Sequence, residues 1–135
     1  MKYILDTHYI LWTLFKPELI NNKIKEILEN DKDIKYVSAI SLWEISLKYS
    51  LGKLEFEGTN PTEIHEKIIE SGFTIIPIED EQFSSFYKLS KKEEHKDPFD
   101  RMIIWQAISN NYTLITNDKK IKQYIENGLK LISGI

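Results

Sequence analysis

Residues 95–107 read HKDPFDRMIIWQA and carry a charged loop directly into an apolar helix. Asp97 stands where a helix N-cap belongs, and Pro98 suits the first helical position because no backbone N–H is needed there. Asp100 then shares a helical face with the apolar residues four and seven positions further on. A carboxylate on the core-facing side of a helix requires a partner, and few cationic side chains are close in sequence. We therefore expect a metal ion that bridges Asp100 to other acids.

The composition is that of an ordinary globular domain. The chain has 135 residues, of which 41% are hydrophobic, so the length predicts one domain over residues 1–135. There is no cysteine, which excludes disulfides and thiolate metal sites and fits a reducing compartment. Asp6 and His8 interrupt the apolar N-terminus, so it does not predict a secretory signal, and no run is long enough to span a bilayer. We expect a cytoplasmic protein that does not insert into membranes.

The net charge of −3 argues against a protein that holds nucleic acid by bulk electrostatics. It does not exclude a nuclease, because bound cations can supply positive charge locally. Arg101 is the single arginine of the chain and stands next to Asp100. It is a candidate contact to a substrate phosphate, and a salt bridge is the alternative interpretation.

Strand-like and helix-like runs alternate along the chain. Strands are predicted at residues 2–5, 36–37, 73–76, 112–116 and 129–132. Helices are predicted at residues 8–15, 19–28, 39–49, 79–89 and 119–124, from Pro61 to a stop at Gly72, and from Pro98 to a stop before Asn110. This alternation implies the α/β class, with a mostly parallel sheet of four to five strands flanked by helices. In that class, functional residues gather at the carboxyl ends of the strands.

Four acids fall at that end of the predicted sheet: Asp6, Glu44, Asp100 and Asp118. Each also has a purely structural explanation. Asp6 and Asp118 can cap the helices that follow them, and Asp100 can complement a helix dipole. Glu44 can complete a capping box with Ser41.

The combination favours a shared site. Glu44 lies between Ile40 and Leu47 on an apolar stripe, which suits an inward ligand better than a solvated cap. Asp6 and Asp118 both end runs typical of buried strands, so their carboxylates are expected at one edge of the sheet. Such crowded carboxylates repel one another or take up protons unless a cation is bound. Oxygen ligands without cysteine favour Mg²⁺ or Mn²⁺.

Several neighbouring residues are secondary candidates. Asp97 is foremost an N-cap, with an outer role at the site as a further possibility. Thr7, Thr116 and Asn117 flank the acids, where a hydroxyl or amide can orient a carboxylate or a metal-bound water, or can serve only as ordinary strand-end chemistry. His8 and His95 can lie near the site, but a lone histidine is more often a packing residue or a hydrogen-bond partner than a ligand, so neither is predicted to bind metal. Trp12, Trp43 and Trp105 occur in apolar helices and are predicted to be core.

Four segments in this order carry a family resemblance: YILDTHYILW, VSAISLWEISLKYSLGKL, HKDPFDRMIIWQA and LITNDKKI. Together they make the chain resemble a PIN-domain ribonuclease of the VapC type, the toxin of a bacterial toxin–antitoxin pair. The resemblance runs nearly from end to end. It implies a PIN-like three-layer sandwich with a doubly wound sheet, and metal-dependent hydrolysis of RNA phosphodiester bonds. The family's acidic metal ligands fall on Asp6, Glu44, Asp100 and Asp118.

The resemblance also implies partners. It predicts a homodimer, and the exposed part of residues 8–15 is our candidate for its interface. A small antitoxin protein is expected to plug the acidic site.

Three other classes compete with this interpretation. A phospho-receiver domain normally has an adjacent acid pair after its first strand, whereas here Thr7 follows Asp6. A haloacid-dehalogenase-like phosphatase has an Asp-x-Asp pattern, whereas this chain has a histidine at the third position. A non-catalytic binding module of the PIN fold fits the same residues as the nuclease, and only an activity measurement separates the two.

Overall fold

The computed structural model describes residues 1–134, and over these residues the chain forms one parallel β-sheet covered by helices on both faces. Its strands are β1 (Lys2–Leu5), β2 (Ile34–Ser38), β3 (Thr74–Ile76), β4 (Thr113–Ile115) and β5 (Lys130–Ile132). They lie in the order β3-β2-β1-β4-β5, and each neighbouring pair is parallel. This is the α/β three-layer architecture that the sequence predicts.

Within residues 1–134, six α-helices connect the strands or flank them. They are α1 (Thr7–Phe15), α2 (Asn22–Glu29), α3 (Ala39–Ser50), α4 (Pro61–Glu70), α5 (Asp80–Ser85) and α6 (Pro98–Asn110). Three 3-10 segments span Pro17–Leu19, Phe86–Lys88 and Lys119–Asn127. The helix starts follow the predicted capping chemistry. Asn60 accepts a hydrogen bond from the N–H of Glu63, and Asp97 accepts from those of Phe99 and Asp100.

The alternation of side chains along β1 separates two cores. Tyr3 and Leu5 face the core beneath α1, α2, α3 and α4, whereas Ile4 faces the core beneath α6. The second core also contains Ile104 and Tyr124, both fully buried. A strand with apolar residues on both faces is the pattern of a parallel sheet covered on two sides. The sheet therefore holds its central strand, and the residue that follows that strand, in a rigid position.

The structure corrects some predicted boundaries. The helix predicted at residues 19–28 begins only at Asn22, because Asn21 caps it and the preceding Pro17–Leu19 segment is a separate 3-10 turn. The strand predicted at residues 36–37 extends over Ile34–Ser38, and the short helix predicted at residues 119–124 is a 3-10 segment that reaches Asn127. The helix predicted at residues 79–89 divides into α5 and a 3-10 turn.

The prediction for Trp43 is wrong. Its side chain is 58% exposed and makes an edge contact with the ring of Phe99. Trp12 and Trp105 are partly buried and pack against the two cores.

In the part of the chain that the structure describes, no helix combines the length and apolar character needed to cross a membrane.

Candidate active site

The order of the strands reverses between β1 and β4. The chain winds outward from β1 through β2 to β3, and then returns to place β4 on the other side of β1. Loops leaving the carboxyl ends of two such strands diverge and open a crevice, where open α/β sheets bind their ligands. Asp6 directly follows β1, and Thr116, Asn117 and Asp118 follow β4. The two segments are joined by the N–H of Asp6, which donates to the carbonyl of Ile115 over 3.1 Å.

An open cleft of about 240 Å³ lies at this crevice. Three of the four predicted acids line it: Asp6, Asp100 and Asp118. The remaining wall consists of His8, Tyr9, Trp12, Asn117 and Ile121. The sheet and the start of α6 thus bring together residues that are far apart in sequence. Three carboxylates lie in one cleft as a result.

Asp6 is the most buried of these three acids. It is 6% exposed, and its Oδ1 accepts a hydrogen bond from the N–H of Tyr9 over 3.1 Å. Burial raises the pKa of Asp6 above its usual range, although hydrogen bonds from the Thr116 hydroxyl and the Tyr9 N–H act in the opposite direction. The predicted N-cap role of Asp6 is therefore correct, and the same carboxylate also lines the cleft.

Thr116 connects Asp6 to Asp118. Its side chain is 1% exposed, and its hydroxyl oxygen accepts a hydrogen bond from the N–H of Asp118 over 3.1 Å. The same hydroxyl donates to the carboxylate of Asp6. Asp118 in turn caps the segment Lys119–Asn127, since its Oδ1 accepts from the N–H of Lys120 over 2.9 Å. One buried hydroxyl therefore sets the relative positions of two acids that follow different strands.

Asp100 stands in the first turn of α6, where Asp97 holds the helix start. Oδ1 of Asp97 accepts from the N–H of Phe99 over 2.9 Å and from the N–H of Asp100 over 3.3 Å. Burial raises the pKa of Asp100 to about 7, and the negative charges of Asp97, Glu44, Asp6 and Asp118 act in the same direction. The cleft thus holds more negative charge than its own residues neutralise.

Glu44 lies beside this cleft, in a second pocket that shares His8 with it. The residue is 4% exposed, and Oε1 accepts a hydrogen bond of 2.6 Å from the hydroxyl of Thr7. The negative charge of Glu44 contributes to the raised pKa of Asp100. The alternative of a capping box with Ser41 is wrong, because Ser38 caps α3 and the Ser41 hydroxyl instead lies 3.0 Å from that of Thr7.

Lys48 supplies the counter-charge of Glu44. Its ammonium group lies 2.5 Å from Oε2 of Glu44, one turn further along α3. Burial by itself lowers the pKa of Lys48, but the hydrogen bond and charge of Glu44 outweigh burial, so the pKa is raised and the lysine stays protonated. Among the four predicted acids, Glu44 is thus the one with a short lysine contact.

His95, which is considered above as a residue near the site but is not predicted as a ligand, lies next to the acids. It is 4% exposed, its Nδ1 is 2.9 Å from the hydroxyl of Tyr124, and its Nε2 is 3.5 Å from Oδ2 of Asp100. Burial lowers the pKa of His95, which favours the neutral imidazole. The burial of the ring has no local signal, because the surrounding SKKEEHK run has the composition of a solvated loop. Tyr124, 29 residues further along the chain, is what buries the ring.

Asn117 and Arg101 have other partners. Oδ1 of Asn117 accepts from the hydroxyl of Tyr9 over 2.5 Å and from the N–H of Gly134 over 2.8 Å, so this residue fastens the C-terminal segment to α1. The guanidinium of Arg101 donates to the carbonyls of Leu89 and Ser90 and lies over the ring of Phe86. Arg101 does not line the cleft, and it forms no salt bridge with Asp100 among the described residues.

The donor atoms in the cleft fit a divalent cation. One ring nitrogen of His95 and one carboxylate oxygen each of Asp100 and Asp118 lie within 4.8 Å of one another. Burial and the charges of the neighbouring acids raise the pKa of Asp100, so a bound cation would stabilise its ionised form. Carboxylate oxygens are the ligands preferred by Mg²⁺ and Mn²⁺, so the predicted type of ligand is present where the charge is needed.

These features define a PIN domain. The family model described as PIN domain matches residues 3–127, and the chain belongs to this family. A comparison with curated protein sequences found no match. Family membership gives no support to the phospho-receiver and phosphatase alternatives.

Solved structures share the fold. A chain of the Rickettsia felis VapBC2 complex, bound to a promoter DNA fragment, is 23% identical with a TM-score of 0.71, and the match covers 98% of each chain. A chain of DNA-bound VapBC from Salmonella typhimurium is 18% identical with a TM-score of 0.71, covering 100% of this chain and 99% of the other. The PIN-domain endonuclease Utp24 is 20% identical with a TM-score of 0.54, covering 98% and 84%. At these identities the comparison shows a common fold.

Proposed function

We propose that this chain is a metal-dependent endoribonuclease of the VapC type, the toxin of a toxin–antitoxin pair. The observation that carries the proposal is the cleft at the β1–β4 crevice, in which Asp6, Asp100 and Asp118 face one another. Membership of the PIN family and the shared fold with the endonuclease Utp24 support nuclease activity. The shared fold with chains of VapBC complexes supports the toxin role.

Asp6, Asp100 and Asp118 are the proposed ligands of the cation, with Glu44 as a further ligand from the adjoining pocket. A bound Mg²⁺ or Mn²⁺ supplies Lewis-acid activation of water and neutralises charge at the scissile phosphate. The protein contributes carboxylates that are already held in place. Thr116 fixes Asp6 relative to Asp118, and Thr7 holds one oxygen of Glu44.

The charge of the cleft is the physical reason for the proposed metal requirement. The carboxylates of Asp6, Asp100 and Asp118 repel the phosphates of RNA when no cation is present. Among the described residues, the cleft wall offers neither a lysine nor an arginine to offset this repulsion. Substrate binding and hydrolysis are therefore expected to share one metal requirement.

The decisive experiment is cleavage of a mixed tRNA and rRNA pool by purified protein, with and without Mg²⁺ or Mn²⁺. Asp100→Asn is the test variant, because the amide keeps the size of the side chain and removes the charge that holds the cation. Asp31→Asn, at an exposed turn, is the matched control. We expect discrete metal-dependent fragments from the wild type and the control, and a loss of at least about a hundredfold in Asp100→Asn.

Full activity of Asp100→Asn would overturn the assignment of the site. Absence of cleavage by folded, metal-loaded wild-type protein would favour the non-catalytic PIN-fold module, which binds a partner through the same cleft. Identifying the cleaved RNA from the fragments would also define the substrate class.

The proposed antitoxin follows from the structures that share the fold, several of which are VapBC or other toxin–antitoxin complexes. Its physical basis is an acidic cleft that a basic side chain of a partner can enter. Co-expression with the protein encoded by a neighbouring gene should yield a stable complex that no longer cleaves RNA. Failure of the two proteins to co-purify would contradict this part of the proposal.

We also propose a homodimer in the cytoplasm, with an interface on the outer side of α1. Along this helix His8 and Phe15 are exposed, and Leu11 and Trp12 are only partly buried. Light scattering at micromolar concentration should give twice the monomer mass of 16.0 kDa. A monomeric mass would contradict the proposal.

A further inference from the structure

The imidazole of His95 is buried although it belongs to a charged loop. The neighbouring side chains of Glu94 and Lys96 are exposed, whereas His95 is only 4% exposed. Its ring packs edge-on against that of Tyr124, with the ring centres 5.4 Å apart. An isolated bridge between Lys92 and His95 turns the loop so that the imidazole points inward, toward the start of α6. The loop therefore delivers one specific polar ring to the edge of the acidic cleft.

One nitrogen of this ring lacks a hydrogen-bond partner. Among the described residues, Nε2 of His95 is a buried polar atom with no hydrogen bond, and the nearest carboxylate oxygen, Oδ2 of Asp100, is 3.5 Å away. A buried polar atom without a partner costs free energy, so an unpaired nitrogen in a folded protein requires an explanation. A ligand that binds in the cleft supplies one.

The other nitrogen fixes the orientation of the ring. Nδ1 is 2.9 Å from the hydroxyl of Tyr124. When Nδ1–H donates to that hydroxyl, Nε2 carries the lone pair and presents it toward Asp100. Histidines that bind metals use this arrangement, in which the second ring N–H donates to a fixed acceptor. Asp118 completes the group, since its carboxylate oxygen lies within 4.8 Å of the atoms of the other two residues.

We propose that His95 is a nitrogen ligand of the divalent cation held by Asp100 and Asp118, and that it makes the site prefer Mn²⁺ to Mg²⁺. This inference rests on the proposed metal-dependent function and adds to it the identity of the metal. Mg²⁺ prefers oxygen ligands and gives up its water reluctantly, whereas first-row transition metals bind imidazole well. A mixed donor set of one nitrogen and two carboxylates therefore distinguishes between the two ions.

Pulsed electron paramagnetic resonance of the Mn²⁺-loaded protein tests the proposal without reference to activity. An imidazole nitrogen bonded to Mn²⁺ produces a ¹⁴N modulation of the electron spin echo. We expect this modulation in the wild type and its loss in His95→Gln, which keeps a polar group but removes the nitrogen ligand. His8→Gln is the matched control, because His8 lines the same cleft from α1 and should leave the signal unchanged.

Calorimetric titration of the same proteins with each metal gives the second measurement. In His95→Gln the affinity for Mn²⁺ should fall about tenfold or more, and the affinity for Mg²⁺ should change much less. Mn²⁺-loaded wild type without ¹⁴N modulation, or equal losses for both metals, would overturn the role of His95. RNA cleavage measured in parallel separates the two proposals: cleavage without the nitrogen signal leaves the ribonuclease intact, and the signal without cleavage leaves the ligand assignment intact.

Discussion

The ammonium group of Lys48 lies 2.5 Å from Oε2 of Glu44, while the hydroxyl of Thr7 binds Oε1 of the same carboxylate. Both oxygens of Glu44 thus have partners within the protein. A cation that binds this carboxylate must either displace the ammonium group of Lys48 or share the carboxylate with it. Among the proposed ligands, Glu44 is accordingly the one whose binding to a metal requires the most free energy to break existing interactions.

Lys48→Met tests this competition. The substitution leaves the buried charge of Glu44 without its counter-ion, so urea denaturation in the presence of a chelator should show a loss of about 1–2 kcal/mol. Affinity for Mn²⁺ should rise, because the metal no longer competes with an ammonium group. The double variant Glu44→Gln, Lys48→Met removes both charges and should recover much of the stability. Equal stability of the single and double variants would contradict the expected role of the pair.

The stability of the metal-free protein should depend on pH through Asp100. Its pKa is about 7 in the folded protein and 3.8 ordinarily, so between these values the folded state holds a proton that the unfolded chain has released. The free energy of unfolding therefore falls as pH rises across this window, and the contribution is constant above it. The raised pKa of Asp6 acts in the same direction.

Asp100→Asn isolates this effect. The variant and the wild type should be similarly stable near pH 4, and at about pH 8 the metal-free variant should be more stable by an amount on the order of a few kcal/mol. Urea denaturation with a chelator at several pH values measures the difference. Parallel pH profiles of the two proteins would show that Asp100 does not carry the pH dependence.

Thr116→Val should lower the metal affinity of the site although all of its acids remain. Loss of the hydroxyl removes the bond to Asp6 and leaves the N–H of Asp118 without its acceptor. We expect a loss of stability of about 1–2 kcal/mol and an approximately tenfold lower metal affinity. Thr113→Val, also buried in the fourth strand region, is the control and should leave metal affinity unchanged. The same affinity loss in both variants would point to a general effect of the strand.

Tyr9→Phe addresses the attachment of the C-terminal segment. The Tyr9 hydroxyl donates to Oδ1 of Asn117, which also accepts from the N–H of Gly134. Removal of the hydroxyl should cost about 1 kcal/mol and speed hydrogen exchange at the Gly134 amide, with metal affinity unchanged. Tyr87→Phe is the control, because Tyr87 is 79% exposed. Unaltered exchange at Gly134 would show that the segment is held by other contacts.

Gly134→Ala should release the same segment by steric means. A Cβ atom at this position would clash with the Tyr9 hydroxyl and would lie 2.8 Å from Oδ1 of Asn117, so one of the groups must move. Faster exchange in the segment, again without a change in metal affinity, is the expected result. Hydrogen exchange at the wild-type rate would mean that the side chains of Tyr9 and Asn117 move to make room and the segment stays in place.

The sequence predicts the central part of the fold well because its physical signals there are local. The apolar runs of β1 and β4 each end in a polar residue, and Pro98 after Asp97 marks the start of α6, so the elements that carry Asp6, Asp100 and Asp118 are found with little error. The start of α2 is missed because Leu19 and Ile20 continue an apolar pattern, while the cap at Asn21 is what ends the turn. The boundary is set by this cap, in which Oδ1 of Asn21 accepts from the N–H of Ile24, and not by a change in the apolar periodicity.

The candidate site is predicted less completely than the fold. The acids can be found because they stand at strand ends and on apolar faces, and the structure brings Asp6, Asp100 and Asp118 to one cleft. Their role as metal ligands stays a prediction. The position of His95 depends on its contact with Tyr124, and the pairing of Glu44 depends on Thr7 from another helix. Such contacts between distant segments have no counterpart in the local sequence pattern.

The pairing of β4 beside β1 also bears on when the cleft can form during synthesis of the chain. Asp118 and the strand that positions it follow Asp6 by more than a hundred residues. A nascent chain that has folded β1, β2 and β3 possesses an acid but no cleft. The cleft can therefore form only late in synthesis, once β4 has paired with β1.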